Sequence, residues 1–130
     1  QMGEAEESYV LVSMDVATKT GRAPKAELVL RTQGQDHTVE SDGSGPVDAV
    51  FKAIEKLVDS GTELKLYSVN AITTGTDSQG EVTVRLAKDG RIVNGQGADT
   101  DVLVASAKAY LNAVNIMADP DRVHPQLDGV

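Results

Sequence analysis

The sequence predicts an α+β fold: two tandem βββα units related by a pseudo-twofold, with antiparallel sheets each covered by a helix. Three observations carry this. Runs of alternating apolar residues, the period of a strand, come in threes. Each trio is followed by one run with helical apolar spacing. Residue types also recur at matching places in the two halves: Ser13 with Ser68, Asp15 with Asn70, Glu27 with Glu81 and Arg31 with Arg85. Such a period marks a repeated supersecondary unit.

In the first unit, YVLVSMDVAT alternates, with Val10, Val12, Met14 and Val16 expected on one face. TKTGRAPK turns the chain and AELVLRT is a second strand. Gln33 to Asp36 is a turn, and HTVES is a short third strand containing His37. In DGSGPVDAVFKAIEKLVDSG the residues Val47, Val50, Phe51, Ile54, Leu57 and Val58 form one helical stripe. Pro46 suits the first turn, where its missing N–H costs nothing, and Gly61 is expected to end the helix.

The second unit repeats the order. LKLYSVNAITT is a long strand, Asp77 to Gly80 a turn, EVTVRLAK a strand and Lys88 to Arg91 a hairpin turn. RIVNG is a short strand, and GQGADTDVLVASAKAYLNAVNIM is expected to be helical, with Val102, Ala105, Ala109 and Ala113 near one face. Short connections imply antiparallel pairing. Repeat one spans about residues 8–61 and repeat two about 62–117, together a single domain 1–117; the Pro- and Asp-rich tail 118–130, with His124, is expected to be flexible.

Composition narrows the function. The 130 residues carry a net charge of −8, which disfavours nucleic acid or an anionic membrane surface as partner. There is no cysteine, so no disulfide or cysteine-ligated metal. No apolar run approaches a transmembrane length, and the opening QMGEAEES is unlike a secretory leader, so a cytoplasmic location is expected. Neither His-Glu-x-x-His nor Gly-x-Ser-x-Gly occurs, and the chain reads as non-catalytic by itself.

Two glycine motifs remain. Asp42-Gly43-Ser44-Gly45 aligns with Asn94-Gly95-Gln96-Gly97, and both read as strand-to-helix junctions. Orphan N–H groups and the helix dipole there suit an anion, and glycine permits close approach. The plain alternative is a tight turn, with Asp99 capping the second helix. Phosphate is disfavoured, because Asp42, Asp48, Asp99 and Asp101 flank the motifs and Arg and Lys are expected to be absent nearby. A ligand with both charges and an aliphatic side chain, a free amino acid, fits the residue types better.

DGSGPVDAVFKAI, LYSVNAITTGTDSQGEVTVRL and GQGADTDVLVASAKAYLNAVN closely resemble the C-terminal regulatory domain of 2-isopropylmalate synthase, over about Tyr9 to Met117. The resemblance implies a domain that binds L-leucine, contributes to a homodimer, and inhibits a distant catalytic TIM barrel of the same polypeptide. That barrel condenses acetyl-CoA with 2-oxoisovalerate using a divalent metal; no cofactor is expected on this chain. Citramalate synthase shares the domain and responds to isoleucine, but Asp99, Asp101 and Lys108-Ala109-Tyr110 favour the leucine enzyme. A purely structural dimerisation module and a free-standing amino-acid sensor are the other readings.

Carried over position by position, the resemblance assigns backbone contacts of the effector to Gly43 and Gly45, with Asp48 beside them. It assigns pocket walls to Leu64, Tyr67 and Ala71, and to Ala98 and Asp99, with Ser78 and Gly80 on an adjoining turn. Leu64 is out of phase with Tyr67 and Ala71 in a regular strand, so a bulge or the strand start must place it. Core packing is the alternative for Leu64 and Tyr67, and Tyr110 reads as a core or dimer contact.

Overall fold

The computed structural model describes residues 8–74 and 77–119; the expected tail lies almost wholly outside them. The elements run β1 (Val10–Ala17), β2 (Lys25–Thr32), β3 (Gln35–Asp42), α1 (Pro46–Val58), β4 (Glu63–Thr74), β5 (Asp77–Lys88), β6 (Arg91–Asp99) and α2 (Val102–Ala118). They form two antiparallel three-stranded sheets, β1-β2-β3 and β4-β5-β6. The predicted βββα duplication is thus the observed architecture.

Turn chemistry sets the register. Gln33 and Gly34 both have positive φ (55° and 76°), as do Asp89 and Gly90 (52° and 84°). Two such residues make the two-residue turn whose twist matches an antiparallel hairpin. The turns lock Thr32 opposite Gln35 and Lys88 opposite Arg91.

Each sheet gives one face to a helix. α1 lies on β2 and β3, α2 lies on β5 and β6, and the helices also touch each other. Leu28 and Leu30 of β2, Val82, Val84 and Leu86 of β5, and Val50 and Ile54 of α1 are fully buried between the layers. The chain has one phenylalanine and three tyrosines, all near the boundary between the units. Phe51 of α1 stacks on Tyr110 of α2 (centroids 4.5 Å apart) and meets Tyr67 of β4 edge-on at 5.9 Å. Tyr9 exchanges two backbone hydrogen bonds with the Asn115 amide.

Several local expectations change. β1 bulges between Leu11 and Ser13, so Leu11, Met14 and Val16 pack inward while Val10 and Val12 stay exposed. α1 ends at Val58, and its C-cap is Asp59 in the left-handed conformation (φ 47°), two residues before the expected Gly61, which also has positive φ (72°). Asp77 to Gly80 open β5, opposite Thr74 to Ala71, rather than forming a turn. β6 reaches Asp99, so Gly95 and Gly97 lie inside a strand and α2 begins at Val102.

That last change corrects the repeat alignment. Arg31 pairs across β2-β3 with Asp36, and Arg85 pairs across β5-β6 with Asn94. Asn94 is therefore the counterpart of Asp36, not of Asp42. The equivalences in the first two strands hold: Asp15 faces Glu27 as Asn70 faces Glu81.

Candidate functional site

The two glycine pairs do different jobs. A Cβ on Gly95 would overlap the Ala109 carbonyl and the Ala113 backbone, and one on Gly97 would sit 2.6 Å from the Ala105 oxygen and Ala109 nitrogen. Ala105, Ala109 and Ala113, four residues apart on α2, are all fully buried. A smooth alanine face thus lies directly on a side-chain-free strip of β6. NGQG is packing, not an anion loop.

The first motif is a genuine junction, and its glycines also divide. A Cβ on Gly43 would meet the Ala49 Cα at 2.6 Å, inside the first turn of α1, so Gly43 serves close packing. Gly45 has open space around it and is the N-cap, in extended conformation (φ −154°, ψ 174°). It supplies no side-chain cap. Asp48 reaches back instead, accepting from the Ser44 N–H at 2.8 Å and pairing with Lys52 at 3.2 Å. The Ser44 N–H, chiefly, holds the Asp48 carboxyl below its usual range.

α2 starts differently. Asp101 is its N-cap, accepting from Leu103 N–H at 2.8 Å, so the capping role expected of Asp99 falls to Asp101. Asp99 accepts from the Asp101 N–H at 2.9 Å and from Lys108 Nζ at 3.2 Å. Those bonds, the Asp101 N–H first, lower its pKa.

The other assigned residues fall into a clear pattern. Ala71, Gly80 and Asp99 stand side by side on three strands, at the end of the sheet where α2 begins. Val102 of α2 covers Gly80, its Cγ2 2.8 Å from where a Cβ would be. Ser78 lies two residues before Gly80 on β5, exposed and on the same face. Tyr67 meets Phe51 in a T-shaped contact and shares a 2.8 Å hydrogen bond with Ser106, itself fully buried. A bulge between Leu64 and Leu66 puts Leu64 in phase with Tyr67 and Ala71, as the spacing required.

Two residues stand apart from this group within one chain. Leu64 is seven positions from Ala71, about 23 Å along a strand. Ala98 pairs with Glu81 and faces away from the helices, opposite to Asp99. The helix-side face of β4 is otherwise open and apolar: Leu64 and Val69 are each 45% exposed, with Val102 at 37% nearby.

The helices run in the same direction. Phe51 and Glu55 of α1 meet Tyr110 of α2, and farther along Val58 shares a cavity with Val114 and Met117. Both N-termini therefore face one end of the molecule, as a pseudo-twofold along the helices requires. Sequence reasoning missed a basic cluster beside the first junction. Lys19, Arg22 and Lys25, from the β1-β2 connection and β2, line a cavity with Asp42, contrary to the expectation that Arg and Lys are absent nearby. Their distance in sequence hid them; the antiparallel register of Lys25 with Asp42 brings them in.

The sequence matches the LeuA allosteric (dimerisation) domain profile over residues 1–118. The chain belongs to that family. Among its relatives, the 2-isopropylmalate synthase of Nitrosospira multiformis is 61% identical over 94% of this chain and 24% of its own length. That of Chromobacterium violaceum is 62% identical over 92% and 23%, and that of Aromatoleum aromaticum 60% over 94% and 24%. As a LeuA allosteric (dimerisation) domain, the chain spans about a quarter of the length of these relatives. Among the described residues, no three His, Asp or Glu side chains group as a metal ion would need, and no helix is long and apolar enough to cross a membrane.

Proposed function

We propose that this chain is the regulatory domain of a cytoplasmic 2-isopropylmalate synthase, binding L-leucine as feedback effector and pairing with a second copy of itself. The carrying observation is the contrast between the helix starts. α2 is closed by the Asp101 side chain, whereas α1 begins at a glycine with open space around it and no side-chain cap. Orphan N–H groups there suit the carboxylate of an amino acid. The exposed apolar strip of β4, reached from α1 through Phe51 and Tyr67, offers a surface for an aliphatic side chain and for a second copy.

Burying a leucine side chain contributes roughly 1.5–3 kcal/mol. Charge-assisted hydrogen bonds add about 1.5–3 kcal/mol each before ordering costs. Together these support affinity on the order of micromolar to sub-millimolar. The condensation of acetyl-CoA with 2-oxoisovalerate, with its divalent metal, belongs to a catalytic barrel in this reading. Inhibition then needs different leucine affinities in the active and inhibited states.

Calorimetry of the chain with leucine, isoleucine and valine, alongside sedimentation, tests this. Saturable heat strongest with leucine is expected, with valine weaker by about 1–3 kcal/mol for the missing methylene. Isoleucine preferred over leucine would assign the citramalate synthase reading. A dimer giving no heat with any of the three would leave a structural module.

A further inference from the structure

The two sheets leave four strand edges, on β1, β3, β4 and β6. On an edge, every second residue turns its backbone N–H and C=O away from the ladder, ready to pair with another strand. Three of the four are guarded. β1 bulges between Leu11 and Ser13, and at its start the Asn115 amide takes both backbone groups of Tyr9. β3 carries Asp36, Glu40 and Asp42, charges that deter a further strand. On β6 the Gln96 N–H is taken by the Asn112 side chain of α2, at 2.9 Å.

β4 has no such guard from Leu66 to Ile72. Its bulge comes before that stretch, as do its two charges, Glu63 and Lys65, which pair with each other at 3.5 Å. The stretch itself, LYSVNAI, holds no charge, proline or glycine. β5 is the only element β4 packs on extensively, whereas β1, in the same place in the first unit, meets both helices. Among the described residues, no hydrogen bond from outside the sheet reaches the backbone of Leu66 to Ile72.

The stretch is also complementary to itself. Laid antiparallel on a copy about Val69, it sets Val69 against Val69, Leu66 against Ile72, Tyr67 against Ala71 and Ser68 against Asn70. Apolar side chains meet apolar ones, hydroxyl meets amide, and no like charges are opposed. Val69, 45% exposed on the helix side, gains a cover there. A two-fold axis through this pair makes a closed dimer in which each copy presents the same surface.

We propose that β4 is the seam between two copies, joined antiparallel over Leu66 to Ile72 about Val69, so that two three-stranded sheets become one of six strands. This rests on the self-pairing proposed above and names the surface that performs it.

Sedimentation combined with amide hydrogen exchange across a dilution series of the chain reads the seam. As dimer forms, alternate amides between Leu66 and Ile72 should exchange about tenfold more slowly or less, while those of the β3 edge stay unchanged. Val69→Lys sets like charges against each other at the axis and should weaken the dimer about tenfold or more. Val69→Glu should do the same, and an equimolar mixture of the two variants should recover a mixed dimer. A dimer whose β4 amides exchange as fast as the monomer's would overturn the seam and leave self-pairing standing, whether or not the variants fold. Two folded variants that associate no better mixed than apart would overturn it too. A chain that stays monomeric throughout would overturn both readings.

Discussion

Tyr110 of α2 donates its hydroxyl proton to Glu55 of α1 across the boundary between the two units, at 2.6 Å. The same ring stacks on Phe51, so one side chain supplies both an apolar and a polar tie between the helices. Glu55 is held in turn by Ser60, whose N–H and hydroxyl donate at 2.8 and 2.6 Å. The carboxylate is thus held from its own unit as well as by Tyr110.

Replacing Tyr110 by phenylalanine keeps the stack and removes the bond. The expected loss is about 1–2 kcal/mol, a fall in melting temperature of roughly 3–8 °C. Burial first, then the Glu55 carboxylate, push the Tyr110 phenol above its ordinary 10.0. A raised folded-state pKa stabilises fully below the unfolded value and is lost as pH rises through the folded one. Melts at increasing alkaline pH should therefore show wild type declining above about pH 10, with the gap to Tyr110→Phe narrowing. A constant gap would sink this account.

Gly97→Val tests the glycine strip. A Cβ there already falls 2.6 Å from backbone atoms of Ala105 and Ala109, which cannot move without lifting α2. Destabilisation of about 3 kcal/mol is expected from overpacking. Gly34→Asn on the exposed β2-β3 turn is the control, since asparagine tolerates positive φ. Equal melting temperatures for Gly97→Val and wild type would refute the close packing.

The same strip shows what the sequence could and could not disclose. Strand and helix periods named every element, because alternate residues such as Leu28 and Leu30, or Val82 and Val84, face the core and nothing else. The Gly-x-Gly pairs look identical as letters, but one ends a strand and the other lies inside it. That difference depends on how far β6 extends, and glycine has no side chain to record which face is buried. The bulge at Leu11 was likewise hidden, since Val10 and Val12 fit the alternation as well as Leu11 does. The cations beside Asp42 needed the sheet register, which single-chain periodicity does not encode.

Acid stability should trace to Asp48 and Asp99. Both have folded pKa values below the ordinary 3.8, chiefly through backbone N–H groups of Ser44 and Asp101 respectively. A depressed pKa stabilises above the unfolded value and is lost as pH falls through the folded one. Melting profiles between about pH 6 and pH 2 should fall less steeply for Asp48→Asn and Asp99→Asn than for wild type. Unchanged slopes in both variants would assign acid sensitivity elsewhere.

Gly45→Asp separates stability from effector binding. Position 45 has extended backbone and open space, so an aspartate fits and can cap the free N–H groups of α1. A side-chain cap in place of glycine should raise stability by a few tenths of a kcal/mol. The new carboxylate would occupy the donors that the proposed leucine carboxylate uses, and repel it as well. Leucine affinity in calorimetry should therefore fall about tenfold or more, in a chain that melts higher than wild type. Gly43→Asp looks like the same change by sequence, but its Cβ collides with Ala49, so it should lower the melting temperature instead. If Gly45→Asp melts higher and still binds leucine as wild type does, the start of α1 is not where the carboxylate sits.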